Sequence, residues 1–316
     1  MSEGRGNAAV GTVVSFLRAL RGGLETGSGP ATALAGAAIA LPREARESLE
    51  AAVRRLGGDY DEDDWGFDEE FAEAALPFLE FLYDRWWRVQ AEGVALVPSH
   101  GRALLVANHA GILPWDAAMI GVALQREHPL PRYPRFTVLD WAFDLPYVSV
   151  AIRKLGGVPG SPYNALRLLE EDELVAVFPE GTSGTQKLYR DRYRLRRFGR
   201  GGFVEIALRT GAPIVPVAIV GSEEIHPKLA DAPLLARVTG APFFPVTPTF
   251  PALGPLGAIP LPSRWRIEFC EPIDLSEFGP EAASDRALVF ELSEHVRELI
   301  QQKVWDNLVK RRSTFI

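Results

Sequence analysis

From about residue 93 onward, apolar runs of strand length recur with room for a helix between most neighbours: RALLVAN (102–108), RFTVL (135–139), ELVAVF (173–178), PIVPVAIV (213–220) and RWRIEF (264–269). Helical patterns fill 115–126, 162–171 and 200–210, and a longer one runs from 281 to about 310. Runs that are apolar throughout, rather than alternating, belong to strands buried on both faces. Strands and helices in this order give an α/β fold: a mixed, largely parallel sheet flanked by helices. No internal repeat interrupts it.

The first 92 residues read differently. Residues 1–42 are rich in Gly, Ala, Ser and Thr and form a flexible N-terminal segment, with one short helix near 10–20 (VGTVVSFLRAL) before GGLETGSGP. Residues 43–92 form a helical N-terminal region, and 93–316 the α/β domain. Within 43–92, a helix at 43–56 is closed by Gly57-Gly58, an acidic run follows (DYDEDDWGFDEE, 59–70), and a second helix covers 71–90. Phe71, Ala74, Ala75, Phe78, Leu82 and Trp86 fall at helical spacing there, with Pro77 as a kink. This aromatic face reads as core rather than interfacial, because an interfacial helix carries a basic polar face and this one carries acids.

Composition narrows the function classes. A net charge of −7 gives no support for nucleic-acid binding. The single cysteine, Cys270, excludes an intramolecular disulfide and a multi-cysteine zinc site, and reads as a packed small hydrophobe. The longest Ala-rich run, ATALAGAAIAL (31–41), is short of the roughly 18 to 20 apolar residues of a membrane span and follows no basic n-region. The expected location is the cytoplasm, or the cytoplasmic face of a membrane as a peripheral protein.

Two stretches carry chemistry. In VANHAGILPWD (106–116), His109 stands just past a strand end, where ligands gather in α/β sheets, and Asp116 follows after a turn. An imidazole held by a carboxylate on one nitrogen can accept a hydroxyl proton on the other. The same letters also describe an ordinary strand-to-helix turn. In VFPEGTSGTQK (177–187), Glu180, Gly181 and Thr182 turn outward from a strand, either as a plain Pro-Gly turn or as a cradle for a polar ligand. No GxSxG elbow, HExxH pair or zinc-like cluster is present. Of the other histidines, His100 and His128 lie in loop-like contexts, His295 in the last helix, and His226 in a loop after the PIVPVAIV strand.

Taken together, NH…D followed about seventy residues later by FPEGT resembles the glycerolipid acyltransferase superfamily, with its NHxxxxD and FPEGTRS-like motifs. RKLGGVPG (153–160) resembles the intermediate motif and PIVPVAIVG (213–221) the fourth, so the resemblance spans roughly 93–275. WGFDEE with LYDRWWRV, and GFVEIALRTGAPIVPVAIVGSEE, look like the bacterial branch related to diacylglycerol and monoacylglycerol acyltransferases. The resemblance implies an enzyme that moves a fatty acyl group from acyl-coenzyme A or acyl carrier protein to a lipid hydroxyl, in lipid metabolism such as phospholipid biosynthesis. It implies no cofactor. His109 would be the general base and Asp116 its orienting partner. Glu180, Gly181 and Thr182 would line the acceptor site. Apart from the resemblance, Lys187 and Arg190 of the basic run that follows are candidate cations for a substrate phosphate.

Three departures bear on the acceptor. Six residues separate His109 from Asp116 where the family has four, and Pro114 opposes a continuous helix across the gap. Ser183 replaces the arginine of the FPEGTRS-like motif, and VPGSP lacks the arginine of the intermediate motif. A phosphate dianion without such partners is poorly compensated, which points to a neutral lipid alcohol. The alternatives are a lysophosphatidic acid acyltransferase that uses the basic run KLYRDRYRLRRFGR (187–200), or an inactive lipid-binding protein on the same fold. That basic run reads either as a solvated face or as a dock for coenzyme A phosphates, acyl carrier protein or anionic headgroups. FFPVTPTFPALGPLGAIPLP (243–262), nearly free of charge, is expected to cover an acyl tunnel or to dip into a bilayer.

Overall fold

The computed structural model describes residues 62–109, 114–145, 148–239, 244–311 and 313–315, with isolated stretches of 15–47. At its centre is β2 (Ala103–Ala107), every residue of which is buried. It pairs in parallel with β5 (Leu174–Val177) on one side and β6 (Ile214–Val220) on the other. Outward from β5 lie β3 (Arg135–Val138) and β4 (Gly157–Pro159), and outward from β6 lie β9 (Arg266–Phe269) and β1 (Gln90–Glu92). β9 runs antiparallel to β6 and carries the parallel β1 with it, so the sheet of seven strands is mixed but largely parallel.

Alternate residues of the central strands feed two cores. Ala103, Leu105 and Ala107 of β2, with Val215, Val217 and Ile219 of β6, face one layer; Leu104, Val106, Ile214, Ala218 and Val220 face the other. Side-chain alternation with period two places both sets in apolar surroundings, which is why these runs carry no polar face. Full burial of a leucine such as Leu104 or Leu105 contributes roughly 1.5–3 kcal/mol. The first layer is covered by α1 (Glu69–Phe81), a π-helical turn at Leu82–Trp86 and α2 (Trp115–Glu127). The second is covered by α4 (Pro162–Glu170), α6 (Gly202–Thr210) and the long C-terminal α8 (Arg286–Lys310). The remaining helices are α3 (Val148–Lys154), the single turn α5 (Thr182–Thr185) and α7 (Pro233–Thr239).

α1 starts where the sequence offers a cap: the Asp68 carboxylate accepts the Phe71 N–H at 2.8 Å, and Glu69 and Glu70 occupy the positive end of the helix. The helix continues through Pro77 to Phe81 and then widens into the π turn. Its aromatic face is core: Trp87 is fully buried, stacked on Trp265 at 4.9 Å and edge-on to Trp115 at 5.3 Å. The indole N–H groups of Trp86 and Trp87 donate to the carbonyls of Pro260 and Leu261.

β1 joins the sheet although it lies before residue 93, and Ala38 and Leu41, from the segment expected to be flexible, belong to the first core. The helices expected at 10–20 and 43–56 lie largely outside the described residues. After β6 the chain leaves the carboxyl edge of the sheet and returns in β9; this excursion holds α7 and a small hairpin of β7 (Ala230–Asp231) and β8 (Pro245–Val246). Among the described residues no helix is long and apolar enough to cross a membrane.

Candidate active site

β2 is the switch point of the sheet: the chain leaves it toward β3 on one side, while β6 lies on the other. Crevices at the carboxyl ends of such strands are where ligands bind in open α/β sheets. The two residues that follow β2 are Asn108 and His109. Asn108 is fully buried, and its side-chain amide donates to the Ile219 carbonyl at 2.9 Å and accepts the Ile219 N–H at 2.7 Å. It thus mimics a peptide group and prolongs the β2–β6 ladder by one step, which fixes the exit direction of the backbone just before His109.

The His109 Nδ1 lies 2.9 Å from Asp116 Oδ2. Asp116 sits in the first turn of α2, its side chain wholly buried, while that of His109 is 12% exposed. α2 starts only after Pro114, at Trp115. Proline tolerates the helix start because the N–H it lacks has no partner there anyway. The helix N-terminus favours the carboxylate charge at Asp116. With Nδ1 committed to Asp116, Nε2 is the ring nitrogen left for a substrate. The Phe178 ring packs against the imidazole with centroids 4.8 Å apart.

Behind His109 lies a buried ionic network. Glu180, whose side chain has no exposure, accepts the His109 backbone N–H on Oε1 at 3.1 Å and the Arg196 backbone N–H on Oε2 at 2.7 Å. Lys187 Nζ lies 3.2 Å from Glu180 Oε2 and 2.6 Å from Glu223 Oε1. The second Glu223 oxygen accepts the Tyr193 N–H at 2.7 Å. Burial opposes the Lys187 charge, but Glu223 and Glu180 outweigh it, and the ammonium pKa is raised. The turn that carries Glu180 needs glycine twice. Gly181 has φ of 53°, and a Cβ at Gly184 would stand 2.9 Å from the Glu180 Cβ and 3.1 Å from the His109 carbonyl oxygen.

His109 opens into a pocket of about 150 Å³ whose walls include Phe178, Gly181, Thr185, Thr137 and Trp141. Pro114, Ala117 and Val138 are also walls of a second cavity, of about 430 Å³. That cavity runs between α1, α2, α3 and β3 and is lined by side chains such as Leu76, Leu79, Val122, Phe136, Ile152 and Leu155. No Lys or Arg lines either space among the described residues.

The residues singled out in the sequence therefore divide. His109 and Asp116 are in hydrogen-bond contact, and Gly181 lines the same pocket. Glu180 and Lys187 lie near His109 but are buried beneath the site, turned to backbone amides and to each other, which does not fit the acceptor lining expected of them. Thr182 and Arg190 are exposed and outside the pocket walls. Among the described residues, the 243–262 segment supplies no wall to the apolar cavity. His226 is buried beside Lys187, Glu223 and Lys228 rather than in a surface loop, and His128 is buried against the Val97 and Leu130 carbonyls. Asn108, Phe178, Thr185 and Glu223 were not singled out. The Asn in the NH dipeptide was a signal for Asn108, and Phe178 and Thr185 lie within VFPEGTSGTQK, whereas Glu223 reaches the site only through the fold.

The sequence model of the family described as Acyltransferase matches residues 88–220, the stretch from just before β1 to the end of β6. An uncharacterized protein of Mycobacterium leprae (strain TN) is 52% identical over 263 residues, 83% of this chain and 72% of that one. One of Mycobacterium tuberculosis (strain ATCC 25618 / H37Rv) is 51% identical over 263 residues, covering 83% and 74%. Phytyl ester synthase 2, chloroplastic, of Arabidopsis thaliana is 37% identical over 138 residues, 41% of this chain and 19% of that protein. Among solved structures, the 1-acyl-sn-glycerophosphate acyltransferase PlsC of Thermotoga maritima aligns with a TM-score of 0.49 and 23% identity, covering 75% of this chain and 82% of that one. The chain belongs to the acyltransferase family, whose sequence model it matches over residues 88–220, and is an enzyme of acyl transfer.

Proposed function

We propose that the enzyme transfers a fatty acyl group from a thioester donor, acyl-coenzyme A or acyl carrier protein, to the hydroxyl of a neutral lipid such as a diacylglycerol or a long-chain alcohol. Nε2 of His109 takes the proton of the acceptor hydroxyl as its oxygen attacks the thioester carbonyl carbon. Asp116 stabilises the imidazolium that forms, and the departing thiolate takes the proton back. Because the acceptor itself is the nucleophile and the thioester supplies the driving force, this chemistry calls on no bound cofactor. The apolar cavity beside the pocket suits the acyl chain.

The observation that carries the neutral acceptor is the absence of Lys and Arg from the pocket walls among the described residues. Lys187, the cation nearest in sequence to the FPEGT stretch, is already held by Glu180 and Glu223, and a phosphate brought to it would meet two carboxylates. Arg190, Arg194, Arg196, Arg197 and Arg200 are exposed and suit the phosphates of coenzyme A or the acidic face of a carrier protein. The exposed Leu229, Leu234, Leu235 and Leu253 of the excursion after β6 suit peripheral contact with a membrane. The test is acceptor competition: diacylglycerol and lysophosphatidic acid offered together with labelled acyl-coenzyme A. Preferential acylation of diacylglycerol is expected. Preference for lysophosphatidic acid that is lost in Arg190→Ala would overturn the neutral-acceptor reading.

A further inference from the structure

Three strands end at the floor of the site, each delivering one element of a single buried array. β2 delivers the His109 backbone, β5 the Glu180 carboxylate, and β6, through the turn after it, the Glu223 carboxylate. Two carboxylates this deep repel each other unless a cation lies between them, and Lys187 occupies that position with its side chain only 3% exposed. Glu180 in turn holds two peptide N–H groups, that of His109 and that of Arg196, at 3.1 and 2.7 Å. Neither contact reaches the substrate pocket, yet one ends on the backbone of the residue whose ring does the chemistry.

We propose that Lys187 is a positioning residue of the acyl-transfer site: held between Glu180 and Glu223, it fixes the carboxylate that anchors the His109 backbone N–H and so sets where the imidazole stands. This rests on the acyl-transfer reading. It differs from a substrate role for Lys187 in what the residue touches, since all its contacts at the site are protein carboxylates buried with it. Removal of the ammonium leaves two buried carboxylates unopposed. One of them must then protonate or move, and the His109 N–H loses its fixed acceptor. A shift of about 1 Å in a reacting group is enough to lower turnover about 100-fold.

The test compares Lys187→Met, Glu223→Gln and the double variant Lys187→Met/Glu223→Gln with the wild type, each checked for folding by circular dichroism. Lys187→Met is expected to lower kcat about 100-fold for neutral and phosphate-bearing acceptors alike, with KM for donor and acceptor little changed. The double variant removes one positive and one negative charge together and is expected to recover part of that kcat. In histidine-labelled protein, the downfield proton resonance of the His109 Nδ1–H bonded to Asp116 is expected to shift or broaden in Lys187→Met and to return toward the wild-type position in the double variant. Should Lys187→Met fail to fold, Glu223→Gln carries the test, with the same direction in kcat and in the resonance. An unmoved resonance with unchanged kcat, or a KM increase confined to phosphate-bearing acceptors, would overturn the proposal. Because the resonance needs no turnover, a wild type that acylates none of the acceptors would sink the functional reading while the positional one is still read from the spectrum.

Discussion

Asp116→Asn isolates the electrostatic part of the site. The substitution keeps the shape of a side chain that is wholly buried in the first turn of α2, so the fold and the pocket stay in place. What changes is the charge facing Nδ1 of His109 across 2.9 Å. When the acceptor proton moves to Nε2, an imidazolium forms opposite that group. Two unit charges about 4 Å apart at an effective dielectric constant of about 20 attract by about 4 kcal/mol. Loss of that term slows the chemical step by roughly 10³-fold. An asparagine can also present its amide N–H to Nδ1 and favour the tautomer that carries its proton on Nε2, where a base must be vacant. The combined effect then approaches the roughly 10⁴-fold loss of a His–Asp pair with the wrong tautomer. The assay is kcat at saturating labelled acyl-coenzyme A and diacylglycerol, with KM for the donor as control. A kcat loss of about 10³–10⁴ with donor KM little changed is expected. If Asp116→Asn kept kcat within about tenfold of wild type, the carboxylate would not be working through His109 as argued.

Other expectations follow from single features of the structure. Gly121 lines the apolar cavity in mid-α2, and a Cβ there meets only the Phe136 ring at 3.5 Å, so Gly121→Leu should fold and fill space. Donor-length profiles should shift to shorter acyl chains, by about fourfold in kcat/KM for each methylene excluded at roughly 0.8 kcal/mol; an unchanged profile would place the chain elsewhere. Leu234→Ser/Leu235→Ser removes two exposed leucines from α7, and should weaken flotation with anionic vesicles while activity on a dispersed short-chain acceptor is kept; equal flotation would exclude this surface. Burial, and then Glu268, push the Cys270 thiol up to about 11 from an ordinary 9.0. Between those values the unfolded chain has lost a proton that the folded chain keeps, so the contribution of this thiol to stability is constant below about pH 9 and falls as pH rises toward 11. Native protein should resist thiol reagents at pH 8 and react on denaturation; rapid native labelling would contradict that burial.

Much of the sheet was legible because its central strands are buried on both faces and so write themselves as unbroken apolar runs. ALLVA, LVAV and IVPVAIV leave no other economical placement. The outer strands were not legible for the converse reason. β1 is QAE, three residues at an edge, and β4 is GVP, which reads as a turn until β3 is there to pair with it. α3 (VSVAIRK) is too short to declare a helical period. At the site, His109 and Asp116 were legible from motif, while Pro114 argued against their meeting; the helix that starts after the proline resolves the conflict. Glu180 and Lys187 misled because a polar turn after a strand looks like ligand lining. Their real partners, the His109 N–H 71 residues away and Glu223 36 residues away, are long-range contacts that no local spacing encodes.

The most direct test of the central claim is a single-turnover acyl-transfer measurement, with labelled acyl-coenzyme A and a panel of diacylglycerol, monoacylglycerol, lysophosphatidic acid and a long-chain alcohol, run on wild type and His109→Ala in parallel. The account predicts transfer to a neutral hydroxyl acceptor by the wild type and its loss in His109→Ala, with donor binding retained. Transfer that survives in His109→Ala would contradict it.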